Sequence, residues 1–113
     1  MDIGVEHLGT VIRLAPHGRI DSASGPVLAE RMEQIVAQGG RRLVVDLRDV
    51  KYVTSAGFRV LLVGDARLRE AGGRLALCCL PPDVQRLFDL AAFNDDFLIA
   101  PSLEACVAQL QQS

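Results

Sequence analysis

The stretch DLRDVKYVTSAGFRVLLVGDARLREAGG, residues 46–73, decides the reading of this chain. It leaves an apolar run, crosses a charged turn at Arg48–Lys51, and finishes an extended piece at Tyr52 and Val53. Thr54 or Ser55 then caps a helix, since a hydroxyl there accepts from amides that the first helical turn leaves unpaired. Gly72–Gly73 ends that helix. At about 100° per residue, Gly57, Val60, Leu61, Gly64, Leu68 and Ala71 fall on one face, assigned to a sheet. Ser55, Phe58 and Leu62 share a neighbouring face that runs on into Asp65 and Arg69. That face is apolar near Ser55 and charged further along, so burial over its whole length is not expected. Its apolar part reads in two ways: a partly exposed docking patch, or side chains tucked under a loop or a third helix.

Strands and helices alternate on both sides of this segment. Upstream, RRLVVDL (41–47) has the compact apolar centre of a central strand. Before it, Leu28, Met32, Ile35 and Val36 recur at helical spacing, and Gly39–Gly40 stops the helix. Gly18 to Asp21 leads into that helix, with Asp21, Ser22 and Ser24 as candidate caps. IGVEHL (3–8) and TVIRLA (10–15) alternate around Gly9 as a hairpin. Downstream, RLALCCL (74–80) is a second buried strand, and Pro81–Pro82–Asp83 opens a third helix containing Val84, Leu87, Phe88 and Ala91. Phe97–Ile99 is a short strand, and Pro101 starts an amphipathic helix with Leu103, Val107 and Leu110. The expected fold is α/β: one domain over residues 1–113, a mixed β-sheet of about five strands, and about four helices.

Composition narrows the function classes. With 113 residues, half of them hydrophobic and 23% charged, the chain suits one globular core rather than disorder. Aromatics are 4% and tryptophan is absent, so Leu, Val, Ile and Ala must fill that core. Net charge is -2, Lys51 is the only lysine, and no basic tract exists to displace phosphate counterions, which argues against direct nucleic-acid binding. No apolar run reaches the roughly 18 residues of a membrane span, and MDIGVEHLGT lacks the pattern of a secretory signal. A cytoplasmic location is expected.

The chemistry-bearing residues are few. Cys78 and Cys79 are neighbours expected on opposite faces of a strand, Cys106 stands alone, and no Cys/His spacing suits a metal. Buried reduced thiols, no metal site and no cofactor are expected. Asp46 as a phosphoacceptor would need a carboxylate cluster for Mg²⁺ and a later lysine; no paired acids end the first strands, and the only lysine, Lys51, comes just after Asp46 in a loop. Asp46 is therefore expected to orient the turn that leads to Ser55. Ser55 as a nucleophile would need a base and an oxyanion hole; TSAG is not GxSxG, and His7 and His17 fall on an edge strand and a loop. No catalytic residue is assigned. Ser55 does stand where a helix start favours an anion. On local grounds it is a cap or a place to hold a phosphate.

At this point a resemblance adds to the residues. DLRDVKYVTSAGFRVLL resembles the phosphorylation-site region of STAS-domain anti-sigma factor antagonists, a bacterial family of transcription regulators. HGRID (17–21) resembles the segment before the family's first helix, and GGRLALCCLPPDVQRLFDL (72–90) its last central strand and following helix. The resemblance implies a partner-switching cycle in signal transduction. The unmodified protein binds an anti-sigma factor that is also a serine kinase; the kinase, carrying its own ATP and Mg²⁺, phosphorylates it and lets go; a serine phosphatase resets it. By the motif the acceptor falls on Ser55, and Asp21, Asp46, Thr54, Ser55, Ala56, Gly57, Phe58 and Leu62 are the expected partner-binding positions. Many members have an aspartate where Thr54 stands, and a second hydroxyl where Ala56 stands. The implied protein is no enzyme, and is a monomer or weak dimer. The rival within the same fold is a STAS module serving another signalling scaffold or a lipid-transport complex.

Overall fold

Gly9 adopts a left-handed φ of 64°, and the chain folds back on itself there. β1 (Ile3–Leu8) consequently pairs antiparallel with β2 (Val11–Pro16), from Leu8 opposite Val11 to Ile3 opposite Pro16. The computed structural model describes residues 1–92 and 94–112. After β2 come β3 (Gly18–Ile20), α1 (Gly25–Ala37), β4 (Arg42–Asp46), β5 (Val50–Val53), α2 (Ser55–Glu70), β6 (Arg74–Cys78), α3 (Pro82–Ala91), β7 (Leu98–Ala100) and α4 (Leu103–Gln111). The main sheet has the order β1-β2-β4-β6-β7, and every pairing after the hairpin is parallel. Five strands in a mixed sheet with four helices is the architecture the sequence led one to expect.

Both faces of this sheet are covered, which explains why RLVVD and RLALC are buried almost end to end. Leu14, Leu43, Val45, Leu75 and Leu77 meet α1, α2 and α3 through Leu28, Met32, Ile35, Leu61, Leu68, Val84 and Phe88. The alternate residues Val11, Val44, Ala76, Cys78 and Ala100 meet α4 alone, through Cys106 and Leu110. Each fully buried Leu or Val adds about 1.5–3 kcal/mol relative to exposure, so the three-helix face carries most of the hydrophobic stabilisation. Gly64 lets α1 and α2 close together: a Cβ there would meet the Met32 side chain at 2.7 Å.

Several expectations need correction. Gly18–Ile20 is not merely a lead-in but a strand, paired parallel with β5 in a separate two-stranded sheet. Asp21 does not cap α1; its Oδ1 accepts the amides of Ala23 and Ser24 and closes the turn before the helix. Ser24 occupies the N-cap without a side-chain cap bond, because its hydroxyl faces back along the chain, accepting the Asp21 amide at 3.0 Å and donating to the Arg19 carbonyl at 2.6 Å. The strand expected over 74–80 stops at Cys78, and Cys79 takes a left-handed φ of 61°. Asp65, placed on a solvated face by the helical wheel, is buried. It accepts the Leu75 amide at 3.1 Å and pairs with Arg69 at 3.0 Å.

Candidate functional site

Thr54, not Ser55, caps α2. It has an extended ψ of 174°, and its Oγ1 accepts the Gly57 amide at 3.3 Å. The cap is anchored across the fold, for the Thr54 amide donates to the Ile20 carbonyl at 3.0 Å and its hydroxyl lies 3.4 Å from the same oxygen. Gly57 is buried directly over that carbonyl, where a Cβ would collide with it. The start of α2 is thus pinned to the end of β3.

Ser55 is the first residue of the helix and is exposed. Its hydroxyl makes no hydrogen bond to a described residue, His7 and His17 included, and the amides of Ser55 and Ala56 likewise bond to no described acceptor. A free hydroxyl therefore stands beside two open amides at the positive end of a 16-residue helix. Chemically, this arrangement presents an acceptor oxygen to an incoming group and can hold an anion once one is attached.

Its neighbours Thr54 and Ala56 are part-exposed, as are Asp21, next to the Ile20 anchor, and Leu62, two turns further along α2. Asp21 is kept ionised: the Ser24 amide donates to its carboxylate and holds it below the ordinary carboxylate range, and Arg19 lies 3.7 Å away. Phe58 resolves the two readings of the apolar face toward the tucked one. It is 5% exposed and meets Phe88 of α3 edge-on, with ring centroids 4.8 Å apart. Gly57 and Phe58 consequently give a partner no side-chain surface.

Asp46 is removed from this surface as well. It sits at the end of β4 on the face of Val44, the face that α4 covers, and is wholly buried. Arg13, level with Val44 on β2, and Arg48 each reach its Oδ2 at 2.9 Å. Its Oδ1 accepts the Arg48 amide at 3.1 Å. It does orient the turn into β5, but it has no oxygen to spare for a partner or a phosphoryl group.

One feature lay outside the sequence reading. Arg19 of β3 lies level with Tyr52 of β5, with its guanidinium 4.8 Å from the ring centre and the ring 40% exposed. Only the pairing of β3 with β5 brings the two together, so no local pattern announces it.

The STAS domain profile matches residues 2–106. A Bordetella bronchiseptica protein named as a candidate anti-sigma factor antagonist, BtrV, is 33% identical over 108 residues, covering 96% of this chain and 93% of its own. The anti-sigma-B factor antagonist of Bacillus subtilis is 34% identical over 90 residues, covering 80% and 82%. Among solved structures, the anti-sigma factor antagonist SpoIIAA in its unphosphorylated form superposes with a TM-score of 0.81 over 99% of this chain and 98% of its own. At 15% identity that likeness speaks to the fold. Among the described residues, no helix is long and apolar enough to cross a membrane.

Proposed function

This chain belongs to the STAS-domain family of anti-sigma factor antagonists, and on that premise we propose that it is a phosphorylation-controlled partner switch with Ser55 as the acceptor. The observation that carries the reading is the Ser55 hydroxyl, exposed and unbonded at a helix start whose cap is supplied by its neighbour Thr54. A serine that served as the cap would have to give up its own bond to be modified. Here modification costs the fold nothing of that kind. The unmodified protein binds an anti-sigma factor with serine-kinase activity in the cytoplasm and so frees a sigma factor; a phosphatase reverses the mark. The protein itself catalyses no step, and ATP with its Mg²⁺ belongs to the kinase.

Phosphorylation adds about -1.5 to -2 charges at pH 7. In a closing interface that charge must shed water at the open end of α2, where Asp21 follows the Ile20 carbonyl that pins the helix. A penalty of only about 3–4 kcal/mol weakens binding more than a hundredfold. The surface a partner meets comprises Asp21, Thr54, Ser55, Ala56 and Leu62, while Gly57, Phe58 and Asp46 support it from beneath or from the far face.

The test is to mix the chain with its candidate kinase and Mg-ATP and locate the label by mass spectrometry. Label on Ser55, absent from Ser55→Ala, is expected. Modification of another residue by an active cognate kinase overturns the assignment. Ser55→Asp should bind the kinase at least a hundredfold more weakly than the parent, and equal affinity would sink the switch.

A further inference from the structure

Three contacts fix the spacing of α1 and α2. A Cβ on Gly25 would meet the Val60 side chain at 3.0 Å, the end of Met32 lies over Gly64, and the Glu33 carboxylate receives Arg67 at 2.8 and 3.1 Å. The two helices therefore lie side by side and run the same way, and between them is a hollow of about 260 Å³. Met32 is buried and forms its floor. Ala29 and Val36 of α1 and Val60 and Val63 of α2 form its walls, and Val63 is 54% exposed. A lone surface valine needs no account, but here apolar side chains of two helices converge on one concave surface.

Polar groups stand only at the two ends. At one end Glu33 and Arg67 neutralise each other across the helices. At the other, Arg59 is exposed and pairs with no described residue. No further charged side chain among the described residues lines the hollow. It thus joins an apolar slot to one uncompensated cation, the pattern of a site for a small amphipathic ligand. We propose that the hollow binds an aliphatic monocarboxylate, its tail lying between α1 and α2 and its head meeting Arg59.

Size and charge both favour this class. Arg59 and Arg67 are eight residues apart, about 12 Å along the helix. Spread over that length, the hollow has a cross-section of about 20 Å², which suits one hydrocarbon chain and not a partner helix about 10–12 Å across. One guanidinium offers a carboxylate two parallel N–H donors, and a second negative charge on the ligand would find no partner in the lining. The unbranched thioether of Met32 lets the floor adapt to the tail. The site stands independently of any role for Ser55.

The experiment titrates the full chain with decanoate, below its micellar concentration, by isothermal calorimetry. One decanoate per chain is expected. Shorter acids should bind up to about fourfold more weakly for each methylene removed. Decanol, with the same tail and no charge, should bind about fivefold more weakly than decanoate. Arg59→Gln should lose that preference while binding decanol as the parent does. Val63→Glu, at an exposed position, should abolish binding of both and keep the parent's circular dichroism, and Arg86→Gln, on α3 outside the hollow, should change nothing. Absence of saturable decanoate binding in the parent overturns the site, as does an undiminished preference for decanoate in Arg59→Gln. A parent dimer that Val63→Glu dissociates, read by sedimentation, would make the groove a subunit interface and overturn it as well.

Discussion

Thr54 and Ile20, 34 positions apart, meet at a single oxygen: the Ile20 carbonyl receives the Thr54 amide at 3.0 Å and lies 3.4 Å from its hydroxyl. The same hydroxyl accepts from Gly57, so one side chain both starts α2 and fastens it to β3. Thr54→Val should lower stability by about 1 kcal/mol, the usual worth of an N-cap, while Thr54→Ser stays near the parent. Thr54→Asp keeps an acceptor for Gly57 but faces the Ile20 carbonyl without a proton to donate, and should fall between them. Urea midpoints at constant m-value decide the order.

Gly57 tests the same junction by volume. A methyl group there runs into the Ile20 carbonyl, which is backbone and cannot rotate aside. Gly57→Ala should cost about 1–3 kcal/mol despite the better helix propensity of alanine. A measured gain in stability would mean that the two elements are less tightly joined than described here.

Asp65 is a buried acid whose role is structural. Its Oδ1 receives the Leu75 amide at the start of β6, and Arg69 and Arg74 lie at 3.0 and 3.7 Å. Asp65→Ala leaves the Leu75 amide unpaired and should cost about 1–3 kcal/mol. Asp65→Asn retains an acceptor and should recover part of that loss, as guanidinium-chloride unfolding would report.

These features show where the sequence was readable. Gly9, Gly39–Gly40 and Gly72–Gly73 mark their turns locally, and the helical spacing of Leu28, Met32 and Ile35 needs no partner to be seen. β3 carries only three residues, too few for any period, and is a strand because β5 lies beside it. Phe58 could be placed only once Phe88 was known to lie against it. The choice between Thr54 and Ser55 as cap rested on the Ile20 carbonyl, which no local pattern reveals. Cys79 misled for a backbone reason: alternation of faces holds along a strand, and the strand ends one residue earlier.

Asp46 supplies a pH test. Burial alone would raise its pKa, but the amide and guanidinium of Arg48, with Arg13, outweigh it and hold the carboxyl below its ordinary value. Such a group stabilises the fold fully above its unfolded value of about 3.9, and that contribution is lost as pH falls through the folded value. Asp46→Asn should therefore be less stable at pH 7, by on the order of 2 kcal/mol. The gap should narrow as pH falls below about 4, where the unfolded chain protonates Asp46, and close only below the folded value, where the native carboxyl is neutral too. Parallel pH titrations of the thermal midpoint would show the two curves converging on the acid side.

The small β3–β5 sheet has a consequence for what any modifying enzyme must read. Ser55 is offered on a discontinuous surface: the carbonyl that fixes its helix comes from Ile20, far away along the chain, at the end of the strand that pairs with β5. A peptide cut from residues 50–70 keeps every letter of the motif yet loses the strand that holds it. In water a helix of that length is marginal by itself. On the proposed reading, what a partner meets is thus a conformational epitope, and an unfolded or proteolysed chain would lose it even with Ser55 intact.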